Sequence, residues 1–167
     1  MTVDELAPYG MHPMDDAEVE TFLASQHLGV LGLPTENGPY LLPMSYGFNG
    51  GSRLYFLYVV GTESQKVDLS SAAESVSFLV YSAETMFVWR SVLLTGSLET
   101  LPDEKRADLK QGQLPAWRPE LFETASETEE TRLYEFRIED WSGMKHTGLP
   151  AGFYQQQSDQ SESRSDE

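Results

Sequence analysis

The sequence predicts a mainly β domain, built as a small antiparallel barrel with helices at its periphery. Strand-like apolar runs outnumber helical segments by about two to one. Asn37-Gly38 and Asn49-Gly50 lie between such runs, and glycine supplies the positive φ that tight hairpins need. No internal repeat is evident, and 167 residues with 40% apolar content suit one domain with a real core.

The N-terminal part predicts an irregular arm followed by one helix. Residues 1–13 are rich in proline and glycine, so we expect no regular element there. The segment MDDAEVETFLASQ, residues 14–26, opens with carboxylates, which favour a helix N-terminus. Its apolar residues Val19, Phe22 and Leu23 fall on one face, which predicts a short amphipathic helix.

Six further runs predict the strands of the barrel. They cover residues 27–34, 40–48, 53–60, 75–82, 87–101 and 132–141. The fifth run is long, and Gly96 predicts a bend within it. The last run alternates only partly, and a short helix is expected before it at PDEKRADLK, residues 102–110.

The C-terminal segment 155–167 has no apolar residue and predicts a disordered tail. The barrel domain is therefore expected to cover residues 14–154.

The charge balance disfavours a nucleic-acid partner. The chain has 27 acidic and 11 basic residues, a formal net charge of −16, whereas proteins that bind phosphate backbones are usually basic. Three tryptophans, eight tyrosines and eight phenylalanines argue against disorder, so we expect a packed body with an acidic surface. Such a surface predicts a cytoplasmic protein of a salt-accumulating microbe that loses structure in dilute buffer.

Several classes of site and location are disfavoured by what the sequence lacks. Cysteine is absent, which excludes disulfides, thiolate zinc sites and cysteine nucleophiles. The three histidines, His12, His27 and His146, have no metal-ligand spacing, and we expect surface or capping roles for them. No nucleophile elbow, dinucleotide fingerprint or P-loop occurs. No basic leader and no apolar run of membrane-spanning length is found, so no membrane association is expected.

The segment GTESQK, residues 61–66, predicts an anion-binding corner after the third strand. Gly61 lets the chain leave the strand, Thr62 caps the next helix, and the free N–H groups of that helix face an anion. Ser64 adds a hydroxyl donor and Lys66 a positive charge. The alternative is structural: Thr62 only caps, and Lys66 pairs with Asp68 or another surface acid.

Arg90, in the strand FVWRSVLLTG, is a second basic residue that could either bind an anion or have only a structural role. Period-2 alternation sets Trp89, Ser91 and Leu93 on one face and Arg90 with Val92 and Leu94 on the other. An arginine in an apolar strand needs an anionic partner if it is buried. The alternative is an edge position with the guanidinium in solvent.

Aromatic residues concentrate near these segments. Their rings would suit a planar ligand, although core filling is the expectation for any single one. They are Tyr46, Phe48, Tyr55, Phe56, Tyr58, Phe87 and Trp89.

The order of these segments resembles the pyridoxamine phosphate oxidase-like flavin-binding split barrels over roughly residues 14–148. A helix precedes LGVLGLP, and PYLLPMSY, SQK and WRSVLLTGSLE follow in sequence. Each motif is degenerate alone, but their order and spacing together are fairly specific. The chain is similar to the short, haloarchaeal-type members, and the resemblance implies a six-stranded antiparallel split β-barrel that binds FMN.

The resemblance also implies where the cofactor would lie. The FMN phosphate would be held at Thr62, Ser64 and Lys66. The isoalloxazine would run along Met44, Ser45 and Tyr46, with Tyr58 nearby, and Trp89, Arg90 and Ser91 would reach the cofactor of the neighbouring subunit. A homodimer with two flavins at its interface is thus implied, with Lys145 near that interface.

The implied activity is that of a flavin-dependent oxidoreductase acting on an unknown small molecule. The chain lacks the C-terminal arginine and histidine with which genuine pyridoxamine phosphate oxidases hold their substrate, so that reaction is not expected. No residue is assigned as catalytic. Two alternatives stay open: a deazaflavin cofactor on the same barrel, and a non-enzymatic flavin-binding or stress-sensing module.

Overall fold

One antiparallel sheet of eight strands organises the part of the chain that the structure describes. The structure is a computed structural model, and it describes residues 3–60, 64–106, 108–109 and 131–149. The strands are β1 (Met11–Pro13), β2 (Leu28–Leu33), β3 (Tyr40–Ser45), β4 (Gly47–Phe48), β5 (Arg53–Val59), β6 (Val76–Thr85), β7 (Val88–Thr100) and β8 (Thr131–Thr147).

The helices are short and lie at the periphery of this sheet. They are a 3-10 helix at Val3–Tyr9, α1 (Asp16–Ser25), α2 (Gln65–Ala72) and α3 (Asp103–Arg106). In the described part of the chain, no helix is long and apolar enough to cross a bilayer.

The strand order forces the sheet to curl. It runs β3-β2-β6-β7-β8-β5-β4, and β1 pairs with β8 outside this path. The two edge strands, β3 and β4, are separated in the chain only by Tyr46. Because one residue spans a few ångströms at most, both edges must meet, and the sheet closes into a barrel with a seam where β3 lies against β5. The mainly β split-barrel fold predicted from the sequence is therefore confirmed.

Tyr46 fixes this closure from inside the barrel. Its side chain is 1% exposed, and its ring meets Phe78 edge-on at 5.4 Å between centroids. Its hydroxyl donates a hydrogen bond to the carbonyl of Leu23 at 2.8 Å, and its backbone N–H donates to the carbonyl of His27 at 3.1 Å. The end of α1 and the strand junction are thus held by the same residue.

The strand count differs from the six expected. The single run predicted at residues 40–48 is broken into β3 and β4 by Tyr46, and β1 forms in the arm that was expected to be irregular. Residues 11–13 of that arm pair with β8, where Met11 lies opposite His146. The tail predicted at 155–167 lies outside the described residues.

A bulge bends the long strands, as Gly96 predicted. Thr95 lies opposite Asp140 and Gly96 opposite Ile138, so that Glu139 of β8 has no partner on β7. A Cβ atom on Gly96 would lie 1.9 Å from the carbonyl oxygen of Arg137, so only glycine allows this approach. The extra residue accounts for the change of alternation after Ile138, whereas the adjacent buried residues Leu133 and Tyr134 lie before it.

The hairpin glycines also behave as predicted. Gly38 has φ of 110° and Gly50 has φ of 79°, both in the region that glycine adopts most readily.

Two contacts from β8 hold the first turn of α1 on the barrel. The helix begins with a capping box between Asp15 and Glu18. The indole N–H of Trp141 donates to Asp16 at 2.8 Å, and the ammonium of Lys145 pairs with Glu18. On its inward face α1 buries Val19, Phe22 and Leu23, as predicted.

On the outside of β5, β8 and β7, four charged residues form a ladder. Arg53 lies opposite Arg137, and Glu99 opposite Glu135, which would be repulsive in isolation. Arg137 compensates by binding both Glu99 and the buried Glu135 at 2.9 Å. The ladder is electrically neutral within itself.

The contact of Glu18 with Lys145 predicts acid sensitivity of the α1 docking. The hydrogen bond from Lys145, with the one from the backbone N–H of Asp15, lowers the pKa of Glu18 below its ordinary value of 4.5. A lowered folded-state pKa stabilises the protein above pH 4.5, and this contribution is lost as the pH falls through the folded-state value. We expect Glu18→Gln to lower the melting temperature at pH 7 and to have a smaller effect at pH 3. Glu20→Gln on the same helix is the control, and an effect of Glu18→Gln that is equal at both pH values would contradict the assignment.

A pair of tyrosine substitutions tests the closure at Tyr46. Tyr46→Phe leaves the buried carbonyl of Leu23 without its donor and should destabilise the fold by about 1–3 kcal/mol. The hydroxyl of Tyr134 is buried and has no hydrogen-bond partner among the described residues, so Tyr134→Phe should cost nothing. Urea unfolding of the two variants measures the difference, and equal losses would show that the hydroxyl of Tyr46 is unimportant.

Candidate functional site

The corner predicted to bind an anion lies where β5 leads into α2. Ser64 is the N-cap of α2 with an extended backbone, and its hydroxyl makes no capping hydrogen bond. The helix hydrogen bonds begin with the N–H of Val67 bonded to the carbonyl of Ser64 at 3.0 Å. The hydroxyl of Ser64 is therefore available to a ligand. Gly61 and Thr62 lie outside the described residues. The N-cap of α2 is Ser64 and not Thr62 as predicted, while contact of Thr62 with a ligand stays a prediction.

Lys66 is half-buried at this corner, and its charge is not paired with any carboxylate in the part of the chain that the structure describes. Its ammonium lies over the ring of Tyr58, 5.3 Å from the centroid. No described carboxylate lies within 4.0 Å of it, so the alternative pairing with Asp68 is absent. Burial lowers the pKa of Lys66, since the charged form is partly removed from water.

Tyr58 forms the floor beneath Lys66. Its side chain is 0% exposed, and burial raises its pKa to about 12. Its hydroxyl and the hydroxyl of Ser70 are 2.8 Å apart, and Ser70 donates to the carbonyl of Lys66 at 2.6 Å. Direct contact of Tyr58 with a cofactor, which the resemblance implied, is not possible for a fully covered ring.

An apolar outer face covers the strands β3, β2, β6 and β7. Strand partners lie on the same face of a sheet, and the pairs Gly32 with Leu41, Val30 with Leu79 and Leu79 with Leu93 connect the four strands. We call this surface the outer face; it consists of Leu28, Val30, Leu41, Pro43, Ser45, Leu79, Tyr81, Ser91 and Leu93. Its largest exposed members are Leu41 at 62%, Leu28 at 60%, Tyr81 at 59% and Leu93 at 45%.

A groove of about 790 Å³ opens on the outer face. Its volume is within the range of about 300–1,000 Å³ that is usual for small-molecule sites. Most of the lining is apolar, with a few polar groups at one side; it comprises Gln26, His27, Leu28, Gly29, Val30, Pro43, Ser45 and Tyr81. Ser45, predicted to contact a cofactor, is therefore accessible from this groove.

The groove and the Lys66 corner border the same seam of the barrel. Gly47 lies opposite Tyr55 in an antiparallel pair. Across this seam β3 lies against β5, and the last residue of β5 is Val59. Because α2 begins six residues after Val59, an elongated ligand along the seam would have its ends at the groove and at Lys66.

The side chains of Met44 and Tyr46 do not face this groove. Both are buried in the core, with Tyr46 bonded to the carbonyl of Leu23. The predicted side-chain contacts of these two residues with a cofactor are therefore not possible in this structure. Contact through the backbone of residues 44–46 remains a prediction.

Arg90 points to the opposite face of β7 from Trp89 and Ser91, with which the resemblance had grouped it, although Trp89 and Arg90 both line a groove of about 250 Å³ at the end of β7. Trp89 and Ser91 follow the alternation of the outer face, whereas Arg90 follows the inward phase of Val92 and Leu94. Arg90 is exposed at the end of the barrel and borders a groove of about 390 Å³ beside α1. β7 lies between β6 and β8, so the alternative of an edge strand is wrong, although the guanidinium does reach solvent.

Two residues were missed or misassigned by the sequence. His146 was expected to have a surface or a capping role. It is buried, contacts the carbonyl of Phe87 through Nδ1, accepts from the backbone N–H of Gly148, and packs against Trp89. Ser70 was not singled out, although its position four residues after Lys66 places both on one side of α2. Among the described residues, no group of three or more metal-ligating side chains is present.

Comparison with known proteins identifies relatives over most of the chain. Residues 15–145 match the sequence model of the family described as pyridoxamine 5'-phosphate oxidase. An uncharacterised protein of Rhizobium meliloti is 29% identical over 89 residues, which are 53% of this chain and 56% of that protein. The chain thus matches little more than half the length of this relative.

Solved structures share the fold. A protein of Mesorhizobium loti described as FAD-binding has a TM-score of 0.63 at 20% identity, with 82% of this chain and 97% of that chain covered. A FAD-binding protein of Mycobacterium smegmatis has a TM-score of 0.62 at 18% identity, with 81% and 99% covered.

Proposed function

The chain belongs to the pyridoxamine 5'-phosphate oxidase family, and we propose that it binds FMN along the seam between β3 and β5. We further propose that the loaded protein is a flavin-dependent oxidoreductase acting on a small molecule. Both proposals, FMN binding and the oxidoreductase activity, go beyond what family membership and the site geometry establish. The solved neighbours support a flavin because two of them are described as FAD-binding.

Lys66 is the single observation that carries the proposal. A chain with a net charge of −16 keeps one ammonium half-buried at a helix start, without a described carboxylate partner. Burying a charge in this way is costly unless an anion compensates it. With the hydroxyl of Ser64 and the first N–H groups of α2, Lys66 would provide charge-assisted hydrogen bonds to a phosphate.

The groove on the outer face would hold the flavin ring. Leu28, Val30 and Tyr81 offer apolar surface to a planar ring system, and Ser45 offers a hydroxyl at its edge. When bound, the flavin would supply the electron-transfer chemistry, while the protein binds and orients it and excludes water. No described residue needs to act as a general base.

FMN and FAD share the ring, the ribityl chain and the first phosphate, so the same corner suits both. We favour FMN because a terminal phosphate needs only the corner itself. Titrating the purified protein with FMN, FAD and riboflavin, followed by visible absorbance and fluorescence quenching, distinguishes them. Reduction of the loaded protein by NADH or NADPH then tests the oxidoreductase step, and a loaded protein that oxidises no substrate would favour a binding module.

The outer face supports the proposal of a homodimer. Large apolar side chains exposed together on a sheet are typical of protein interfaces, and this chain is otherwise strongly acidic. A second copy presents the same uncharged surface, so association avoids the repulsion that most of the molecule would meet. Trp89 and Ser91 border this face and would reach the groove of the partner.

The role of Lys66 is tested by Lys66→Ala. Loss of a charge-assisted hydrogen bond to phosphate should weaken FMN binding by about 1–3 kcal/mol. Isothermal titration or fluorescence quenching measures the affinity. Lys105→Ala removes an exposed ammonium elsewhere and is the matched control. Unchanged FMN affinity in Lys66→Ala would refute the phosphate site.

The dimer is tested by Leu93→Glu, at an exposed apolar position on the β7 side of the outer face. A carboxylate from each copy would be buried against the other, so we expect light scattering to give the mass of one chain instead of two. Met86→Glu places a carboxylate at an exposed apolar position in the turn between β6 and β7, outside the outer face, and should leave the mass unchanged. A monomeric unmodified protein, or a Leu93→Glu variant that stays dimeric, would contradict this interface.

A further inference from the structure

We propose that Tyr58 is a positioning residue for Lys66, and that the face of its ring holds the ammonium in place for the phosphate without neutralising it. The inference rests on the proposed function, since it assigns a second-layer partner to the lysine of the same site. It replaces the direct cofactor contact that the resemblance implied for Tyr58.

Tyr58 contacts the ammonium of Lys66 directly and is linked to its backbone through Ser70. The ammonium lies 5.3 Å from the ring centroid, within the usual range of about 6 Å for a cation–π contact. At the other end, the hydroxyl of Tyr58 meets Ser70, which donates to the backbone carbonyl of Lys66 at 2.6 Å. The side chain of Tyr58 therefore helps to position both the side chain and the backbone of Lys66.

The ring is a suitable partner for a lysine that must bind an anion. A carboxylate would fix the ammonium more strongly, but its negative charge would cancel the attraction for phosphate. The negative face of an aromatic ring attracts the cation through its quadrupole and carries no net charge. In a chain with 27 acidic residues, an uncharged support keeps the full charge of Lys66 available.

The ring plane is itself fixed from below. Tyr134 packs on Tyr58 with ring centroids 4.3 Å apart and an interplanar angle of 34°. Both rings are buried, so Tyr58 cannot turn away from Lys66 without opening the core. The hydroxyl of Tyr134 has no partner among the described residues and is not linked to α2.

The test compares FMN with riboflavin, which lacks the phosphate. The ratio of the two dissociation constants isolates the contribution of the phosphate from that of the ring system. Position 58 is occupied in turn by tyrosine, phenylalanine, difluorophenylalanine and trifluorophenylalanine. Fluorine weakens the negative ring face while the ring keeps nearly the same size, so that folding is preserved.

We expect Tyr58→Phe to change the FMN preference by about twofold or less, since the ring face remains. Along the fluorinated series the preference should fall progressively, by about three- to tenfold in all, as the cation–π contact is lost. Riboflavin affinity should stay constant throughout. Tyr134→Phe, which removes a hydroxyl from the neighbouring ring, is the matched control and should preserve the preference.

The outcomes separate this inference from the proposed function. A preference for FMN that is constant along the series, or equal losses for FMN and riboflavin, would overturn the role of Tyr58 while the phosphate site stands. An unmodified protein that binds FMN and riboflavin equally, or neither, would overturn the phosphate site and this inference with it.

Discussion

The closure of the sheet at Tyr46 is the constraint on which the other features depend. Because one residue connects the two edge strands, the sheet cannot stay open, and the first helix must end where the hydroxyl and N–H of Tyr46 find their acceptors. The same closure creates the seam between β3 and β5. The junction at Tyr46 thereby determines the position of Lys66, at the end of the seam, relative to the groove on the outer face, at its side.

The sequence predicted the fold well because its signals were local. Apolar runs, Asn-Gly turns and the carboxylates at the start of α1 each correspond to an element of the structure. The break at Tyr46 was not predicted, since residues 40–48 were interpreted as one strand-like run and Ser45 and Gly47 beside Tyr46 do not form a recognisable turn motif. The pairing of β1 with β8 joins residues over 130 positions apart, and no local pattern specifies it.

The sequence indicated some residues of the candidate site better than others, for a physical reason. A lysine at the junction of a strand and a helix is conspicuous in an acidic chain with few lysines, and Lys66 was found in this way. A tyrosine gives the same signal whether it fills a core or faces a ligand. The residue pattern favoured core filling for Tyr46 and Tyr58, whereas the resemblance implied contact with a cofactor, and both side chains are buried. The alternation of β7 predicted that Arg90 lies on the other face of the strand from Trp89 and Ser91. The structure agrees with this prediction, whereas the resemblance had grouped the three residues together.

The unpaired Glu139 has a consequence for the docking of α1. This extra residue of β8 changes which positions point inward: they are Tyr134, Phe136 and Ile138 before it, and Trp141, Gly143 and Lys145 after it. Excising that residue would restore ideal pleating and turn Trp141 and Lys145 away from the helix they hold. Whether α1 stays docked on the barrel therefore depends more on the length of β8 than on the chemistry of any side chain within it.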